Sequence, residues 1–472
     1  MDSSTKIRAF YTSIIILFAL GCKKIISIPP PVSTVSSSQV FSSDDQVKSA
    51  VAGIYDAIIN SHTFGPFNGS TTIYCGAYAD EFTFFDQFSA NNVQFQNSLL
   101  LTSNPNVNAN FWTPVYSYIY DCNAVIEGLQ ISNPIDDSLK TELLGECEFI
   151  RSLCYFYLVN LFGDVPFVTS TNYNNTSLLT RTSASEINQS IIGDLIDAKG
   201  KLAADFTAGK GQRIIPNKWA ATALLSRAYL FAKDWANAET QSSEIINNSN
   251  LFSLSTNLND VFSPNSTEAI WQLQQDNANF PFNATPEGDV IIPSDSNSQP
   301  FIYLTPSLLS SFEPSDNRRA QWIDSTNFLG TYYFYPFKYK IGNALATASG
   351  SYTEYYMVLR LAEQFLIRAE ARAHQNEPNA IDDLNTIRNR AGLLNYTGPA
   401  TGDSLLSAIA HERQIELFGE WGHRWLDLRR TGQASNVLGP LKPKWTSNAL
   451  LFPIPVTELK RDPNLTQNPG YN

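Results

Sequence analysis

Histidine and methionine are scarce in this chain, with four and two among 472 residues. The histidines, His62, His374, His411 and His423, form no pair at metal-ligand spacing, and zinc chemistry needs such pairs. His411-Glu412 opens like a zincin helix, but Ile415 stands where its second histidine belongs, which excludes a metalloprotease helix there. Gly209-Lys210-Gly211 lacks the upstream glycine of a phosphate-binding loop. Neither a metal nor a cofactor is therefore expected. Positive charge is also short, with 32 Lys and Arg against 44 Asp and Glu, a formal charge of −12. Without a basic stripe, nucleic acid is not a partner. A polyanionic ligand is disfavoured by the global sign, which a local pocket can escape. Beyond the N-terminus no run is apolar enough to cross a membrane. Of five cysteines, Cys147 and Cys154 lie about 10 Å apart along one expected helix, beyond disulfide reach. Cys122 could meet either of them, and no spacing fits a zinc framework. Buried free thiols are the expectation for Cys75, Cys122, Cys147 and Cys154, with their disulfide state left open.

The first 21 residues read as a targeting segment. Lys6 and Arg8 precede the apolar run 14–20, which is too short to span a bilayer. Ala19-Leu20-Gly21-Cys22 then resembles a bacterial lipoprotein signal, with Cys22 as the acylated residue; two buried acyl chains suffice for stable anchoring. Lys23 and Lys24 follow. The Pro- and Ser-rich stretch to residue 38 reads as a tether.

Helical periodicity then comes in pairs. Helices are expected over 44–61, 109–129, 138–162, 183–202, 217–232 with 235–247, 355–373 with 379–391, and 404–419. The 217–247 unit, with small residues before a two-residue turn, resembles a tetratricopeptide repeat. Between these lie loop-rich stretches at 62–105, 251–351 and 392–403. Loops so long in a compact body are functional or domain-like. The fold expected is mainly α: a tetratricopeptide-like scaffold carrying a loop-rich second lobe. The divisions are leader 1–21, anchor and tether 22–38, N-terminal helical region 39–250, ligand lobe 251–351 and C-terminal helical region 352–472.

Residues 145–167, GECEFIRSLCYFYLVNLFGDVPF, read as one amphipathic helix in which Arg151 can pair with Glu146 or Glu148. Gly163 supplies a left-handed cap, and Pro166 forbids continuation. The string resembles the R-A-F-x-Y-F-x-L-V-x-L-[FY]-G-D-V-P signature of SusD/RagB-type outer-membrane lipoproteins. Residues 360–393, 412–430 (ERQIELFGEWGHRWLDLRR) and 452–471 (FPIPVTELKRDPNLTQNPGY) are similar to three further blocks of that family, in order and spacing. Val40-Phe41 and Ala52-Gly53-Ile54-Tyr55 match its N-terminal pattern. Ser152, Cys154 and Gly419 depart from it mildly. The resemblance implies a non-catalytic lipoprotein, anchored in the outer membrane and facing outward. It would hold an oligosaccharide for a SusC-like TonB-dependent transporter. It also implies that Arg151, Gly163, Asp164, Pro166, Glu412, Arg413, Glu416, Arg424 and Asp427 are structural, and the charged set Glu412, Arg413, Glu416, Arg424, Asp427, Arg429 and Arg430 reads physically as a partly buried ion-pair lattice. A peptide-binding or scaffold lipoprotein is the alternative. A helical glycoside hydrolase is a third reading, but no motif marks the two carboxylates it would need.

The family's ligand residues carry no motif, so the site is argued from chemistry. Sugars present C–H faces beside hydroxyl edges, which calls for aromatic plates with polar margins. Two segments offer them: 76–88, with Asp80, Glu81, Phe84, Phe85 and Asp86, and the middle lobe, with Trp271, Phe280, Phe282, Tyr303, Trp322, Tyr332, Tyr333 and Tyr335. Binding is expected to rest on Phe84, Phe85, Trp271, Tyr303, Trp322 and Tyr332, with Asp80 and Glu81 at the margin.

Overall fold

The computed structural model describes residues 40–60, 65–132, 134–276, 283–343 and 352–471. Cys22, the leader and tether, His62, Phe280 and Phe282 lie outside the described residues. The scaffold helices are α1 (Asp44–Ile59), α2 (Thr71–Tyr78), α3 (Thr113–Ile131), α4 (Asp137–Phe162), α5 (Ala184–Lys201), α6 (Lys218–Ala232), α7 (Trp235–Ile246), α8 (Leu361–His374), α9 (Ala380–Arg390), α10 (Asp403–Glu416) and α11 (His423–Arg430). Side-chain caps set several starts. Asp136 accepts from the amides of Ser138 and Leu139, Ser183 from Glu186, and Asn217 from Trp219 and Ala220. Lys233 takes the left-handed conformation between α6 and α7, and Asp234 caps the return.

Packing follows the chain as a stack: α3 on α4, α4 on α5, α5 on α6, α6 on α7, α7 on α8, and α8 on α9 and α10. Buried alanines on α6 (Ala220, Ala221, Ala223) and α8 (Ala362, Ala369, Ala371) permit the close approach. The architecture is thus the expected mainly α, tetratricopeptide-like scaffold, completed by helices from both ends of the chain.

Three expectations change. Helix α4 is not amphipathic over its second half, since every residue from Gly145 to Phe162 is buried. It is a central pillar enclosed by its neighbours. Arg151 accordingly pairs not along its own helix but with Asp194 of α5 at 2.8 Å and with Asn123 of α3 at 2.9 Å. Glu148 meets Lys201, and Glu146 accepts from the Tyr55 hydroxyl. The segment expected to open α8 is instead a strand, because its five buried residues pair with a second buried strand.

Gly163 ends α4 at φ 75°, ψ −129°, outside the left-handed helical region but open to glycine. A Cβ there would lie 2.9 Å from Leu451 Cδ1. The helix-end carbonyls are met by the distant C-terminus: Phe452 N donates to Leu161 O at 2.7 Å, and Asn468 Nδ2 to Phe162 O at 2.8 Å. Asp164 accepts from Ala184 N, and Pro166 O accepts from the Tyr116 hydroxyl. The four cysteines are buried free thiols.

The second lobe is built on short strands: β1 (Phe82–Phe84), β2 (Ala269–Leu273), β3 (Ile302–Leu304), β4 (Ile323–Phe328), β5 (Thr331–Pro336) and β6 (Tyr356–Arg360). β1 pairs with β3, β2 with β6, and β4 with β5, all antiparallel. Buried charges bolt this lobe to the scaffold. Arg360, ending β6, bonds Glu416 of α10 at 2.6 Å and Glu420 at 2.8 Å. Arg390 of α9 bonds Glu416 and Glu268. Arg318 bonds Asp316 at 2.8 Å, Glu412 at 2.6 Å and Glu416 at 3.0 Å. Lys338, just past β5, meets Glu420 and donates to Glu416 O at 2.9 Å. Burial alone would raise the Glu416 carboxyl, but Arg390, Arg360 and Arg318 hold it far below the usual range. A second lattice joins Arg413 and Arg430 to Asp427 at 2.9 and 2.7 Å.

Removing one partner from a buried ion pair costs about 3–5 kcal/mol. We therefore expect Glu416→Gln, which strands three buried arginines, to lower the melting temperature sharply; an unchanged melt would show that the lattice is dispensable. Glu287 behaves oppositely. Burial pushes its carboxyl up to about 8, against bonds from Thr72 and Tyr356 and with Glu420 adding to the rise. A raised folded value gives stability that is complete below the unfolded value of 4.5 and is lost as pH rises towards 8. Glu287→Gln cannot titrate, so thermal melts should show its stability relative to the parent improving from pH 4.5 to pH 8.

Candidate aromatic binding site

The hairpin β4–β5 turns through Leu329 and Gly330, both at positive φ, as a tight two-residue hairpin turn requires. Register then decides which side chains meet. Thr326 faces Tyr333, and Phe328 faces Thr331; since side chains alternate, Phe328 and Tyr333 share one face. In the β1–β3 pair, Thr83 lies opposite Tyr303, while Phe82, Phe84, Ile302 and Leu304 point into the core. Pairing continues one residue further, where Phe85 N donates to Phe301 O at 3.0 Å. β5 lies beside β3, which brings the two ribbons together.

Four rings converge there. Phe85 meets Phe328 at 5.5 Å and Tyr333 at 5.3 Å between centroids, and Tyr333 meets Tyr303 at 5.1 Å. All three contacts are edge-to-face, a geometry that fixes ring planes. All four residues are half-buried, held by their neighbours yet open to solvent. Phe88, 98% exposed, projects from the adjoining turn, where Asp86 accepts from its amide at 2.9 Å. Gln87 and Gln96 bond one another at 3.1 Å behind that turn, and Gln96 also receives the Phe84 amide at 3.0 Å. Burial raises the Tyr303 phenol above its usual value, leaving it a neutral hydroxyl donor. Rings with amides, hydroxyls and Asp86 at their margin can stack on an apolar face and bond its polar edge.

Other expected site residues are elsewhere. Trp271 and Trp322 are 0% exposed, and they donate from their indoles to Ile214 O and Leu258 O. These two, with buried Phe84, are core, which corrects the expectation of exposed plates: no face of them is open. Asp80 is held by Arg424 through bonds of 2.7 and 2.8 Å. Glu81 is buried, and burial with Asp80 beside it pushes its carboxyl up to about 8. Neither is a margin residue, because Asp80 is committed to a cation and Glu81 is enclosed in the interior. Tyr332 is 64% exposed but lies opposite Asn327, on the hairpin's other face from Tyr333. Phe301 and Phe328 were not anticipated, and Phe88, the last residue of the expected segment 76–88, was not singled out there. Leu-Gly between alternating residues in NFLGTYYFYP was the available hairpin signal. Among the described residues, no group of three or more His, Cys, Asp or Glu could hold a metal.

Residues 311–471 match the SusD family, and residues 31–230 match a family described as starch-binding, associating with outer membrane. A SusD-like protein of Formosa agariphila is 26% identical, covering 99% of each chain. A SusD superfamily protein of Bacteroides vulgatus superposes with a TM-score of 0.79 at 21% identity, over 91% of this chain and 100% of that one. Surface glycan-binding protein A of Bacteroides thetaiotaomicron, in complex with laminarihexaose, gives 0.75 at 20% identity, over 90% and 99%. These matches take in both ends of the helical scaffold and the lobe it carries, and the chain belongs to the SusD/RagB family.

Proposed function

We propose that this protein is a non-catalytic glycan-capture lipoprotein that binds an oligosaccharide on the face formed by Phe85, Tyr303, Phe328 and Tyr333. The observation that carries the reading is the convergence of four half-open rings from two β-ribbons. Supporting it are the relatives, one of them a surface glycan-binding protein in complex with laminarihexaose. Also in its favour, Asp80 is locked in an ion pair with Arg424 and Glu81 is buried with its carboxyl pushed up to about 8, so neither joins Asp86 at the rings' margin to make the free pair that general acid–base hydrolysis needs.

In this reading residues 39–250 and 352–472 form the scaffold and 251–351 the ligand lobe, to which 85–88 contribute. Cys22 carries the acyl anchor, the body faces outward from the outer membrane, and a SusC-like TonB-dependent transporter receives the glycan. A neutral glycan leaves only stacking and hydroxyl bonds to hold it, so affinity should be nearly insensitive to salt. Phe85→Ala, Tyr303→Ala or Tyr333→Ala should weaken binding of the recognised glycan in titration calorimetry tenfold or more, about 1.4 kcal/mol, with the melting temperature little changed. Three variants that bind like the parent would remove the site from this face; product release from the glycan would instead favour a hydrolase, and preferential peptide binding a scaffold role. Cys22→Ala should abolish fatty-acid labelling and release the protein from membranes, whereas equal labelling would refute the anchor.

A further inference from the structure

The opposite face of the same hairpin is also open. Ile323, Ser325 and Asn327 of β4 share that face with Tyr332 and Phe334 of β5. Between it and the segment 312–320 runs a groove of about 620 Å³, with Phe312, Ile323 and Phe334 as its apolar lining and Ser325, Asp324 and Arg319 among its polar groups. That volume lies within the range of small-ligand sites.

The charges in this groove are unequal in their freedom. Asp316 is bonded to Arg318, and Glu313 to Arg388 at 2.6 Å, so both carboxylates are neutralised. Arg318 is committed to three carboxylates. Its neighbour Arg319 is exposed, and no carboxylate among the described residues lies within ion-pair reach of its guanidinium. It sits over the Phe334 ring at 5.6 Å, and that contact leaves its N–H fork open. The remaining carboxylate, Asp324, accepts from Ser325 N at 2.7 Å and from the Tyr335 hydroxyl at 3.4 Å.

We propose that this groove is a second saccharide subsite, distinct from the four-ring face, that takes a uronate residue. The Arg319 fork bonds the carboxylate bidentately. Phe334 receives the C–H face of the ring. Ser325 bonds a ring hydroxyl, while Asp324 stays with Tyr335 on the hairpin's other face. The net negative charge of the protein does not forbid this, because the attraction is local and the neighbouring acids are already paired.

The test is titration of the full-length protein with tetragalacturonate and with its carboxyl-reduced counterpart. The uronate should bind at least tenfold tighter than the reduced form, and its affinity should fall as salt rises. Arg319→Gln, a surface change expected to fold normally, should abolish both the preference and the salt dependence. Phe334→Ala should weaken both ligands, while Phe85→Ala and Tyr303→Ala should leave uronate binding unchanged. Equal affinity for the two forms, or a parent-like Arg319→Gln, overturns the proposal. So does hexaglutamate competing as well as the uronate, which would make this an acidic-peptide groove. The four-ring face is judged by a different readout, loss of neutral-glycan binding in Phe85→Ala, Tyr303→Ala and Tyr333→Ala, so either site can fail without the other.

Discussion

Glu416 is the residue on which the arrangement of the two lobes depends. It is fully buried, and its two oxygens meet Arg318, Arg360 and Arg390, which come from the lobe segment before β4, the end of β6 and the end of α9. Isolated, such charges would be strongly unfavourable in the interior; together they satisfy one another only in one geometry. Lys338 and Glu420 extend the lattice to the base of the hairpin. The face that carries the aromatic cluster is therefore held from beneath by ion pairs, not only by hydrophobic contact.

The central helix plays the complementary part. Because α4 is buried on every side through its second half, it offers no solvent face, and its end must be completed by the chain itself. The C-terminal segment does this, through Phe452 and Asn468, while Asp164 and Pro166 direct the chain towards α5. Residues some 300 positions apart thus complete one hydrogen-bond pattern, which is why the chain forms one interwoven body.

Placing the proposed binding face on paired strands rather than on free loops has a physical advantage. Register fixes side-chain direction, so Phe328 and Tyr333 are aimed together without any loop having to be ordered on binding. The same alternation sends Tyr332 and Phe334 to the other side. One hairpin consequently offers two chemically different surfaces, one an aromatic face and the other a groove wall beside the guanidinium of Arg319.

The helices were legible from sequence because their signals are local: Asn217 before KWAATALL, Ser183 before α5, and the alanine-rich pair around Asp234 each carry period and cap within a few residues. The family blocks were legible for the same reason. The strand Tyr356–Arg360 was not, because a short buried run looks alike in helix and strand until its partner, nearly ninety residues earlier, is known. The site was only half legible. Phe85 and Tyr303 were expected by composition, as were Trp271 and Trp322, and nothing local separates an aromatic that faces solvent from one that fills a core. Burial and facing direction arise from long-range register and packing. Chain order therefore determined which elements form, and tertiary structure alone decided which rings stay open to solvent.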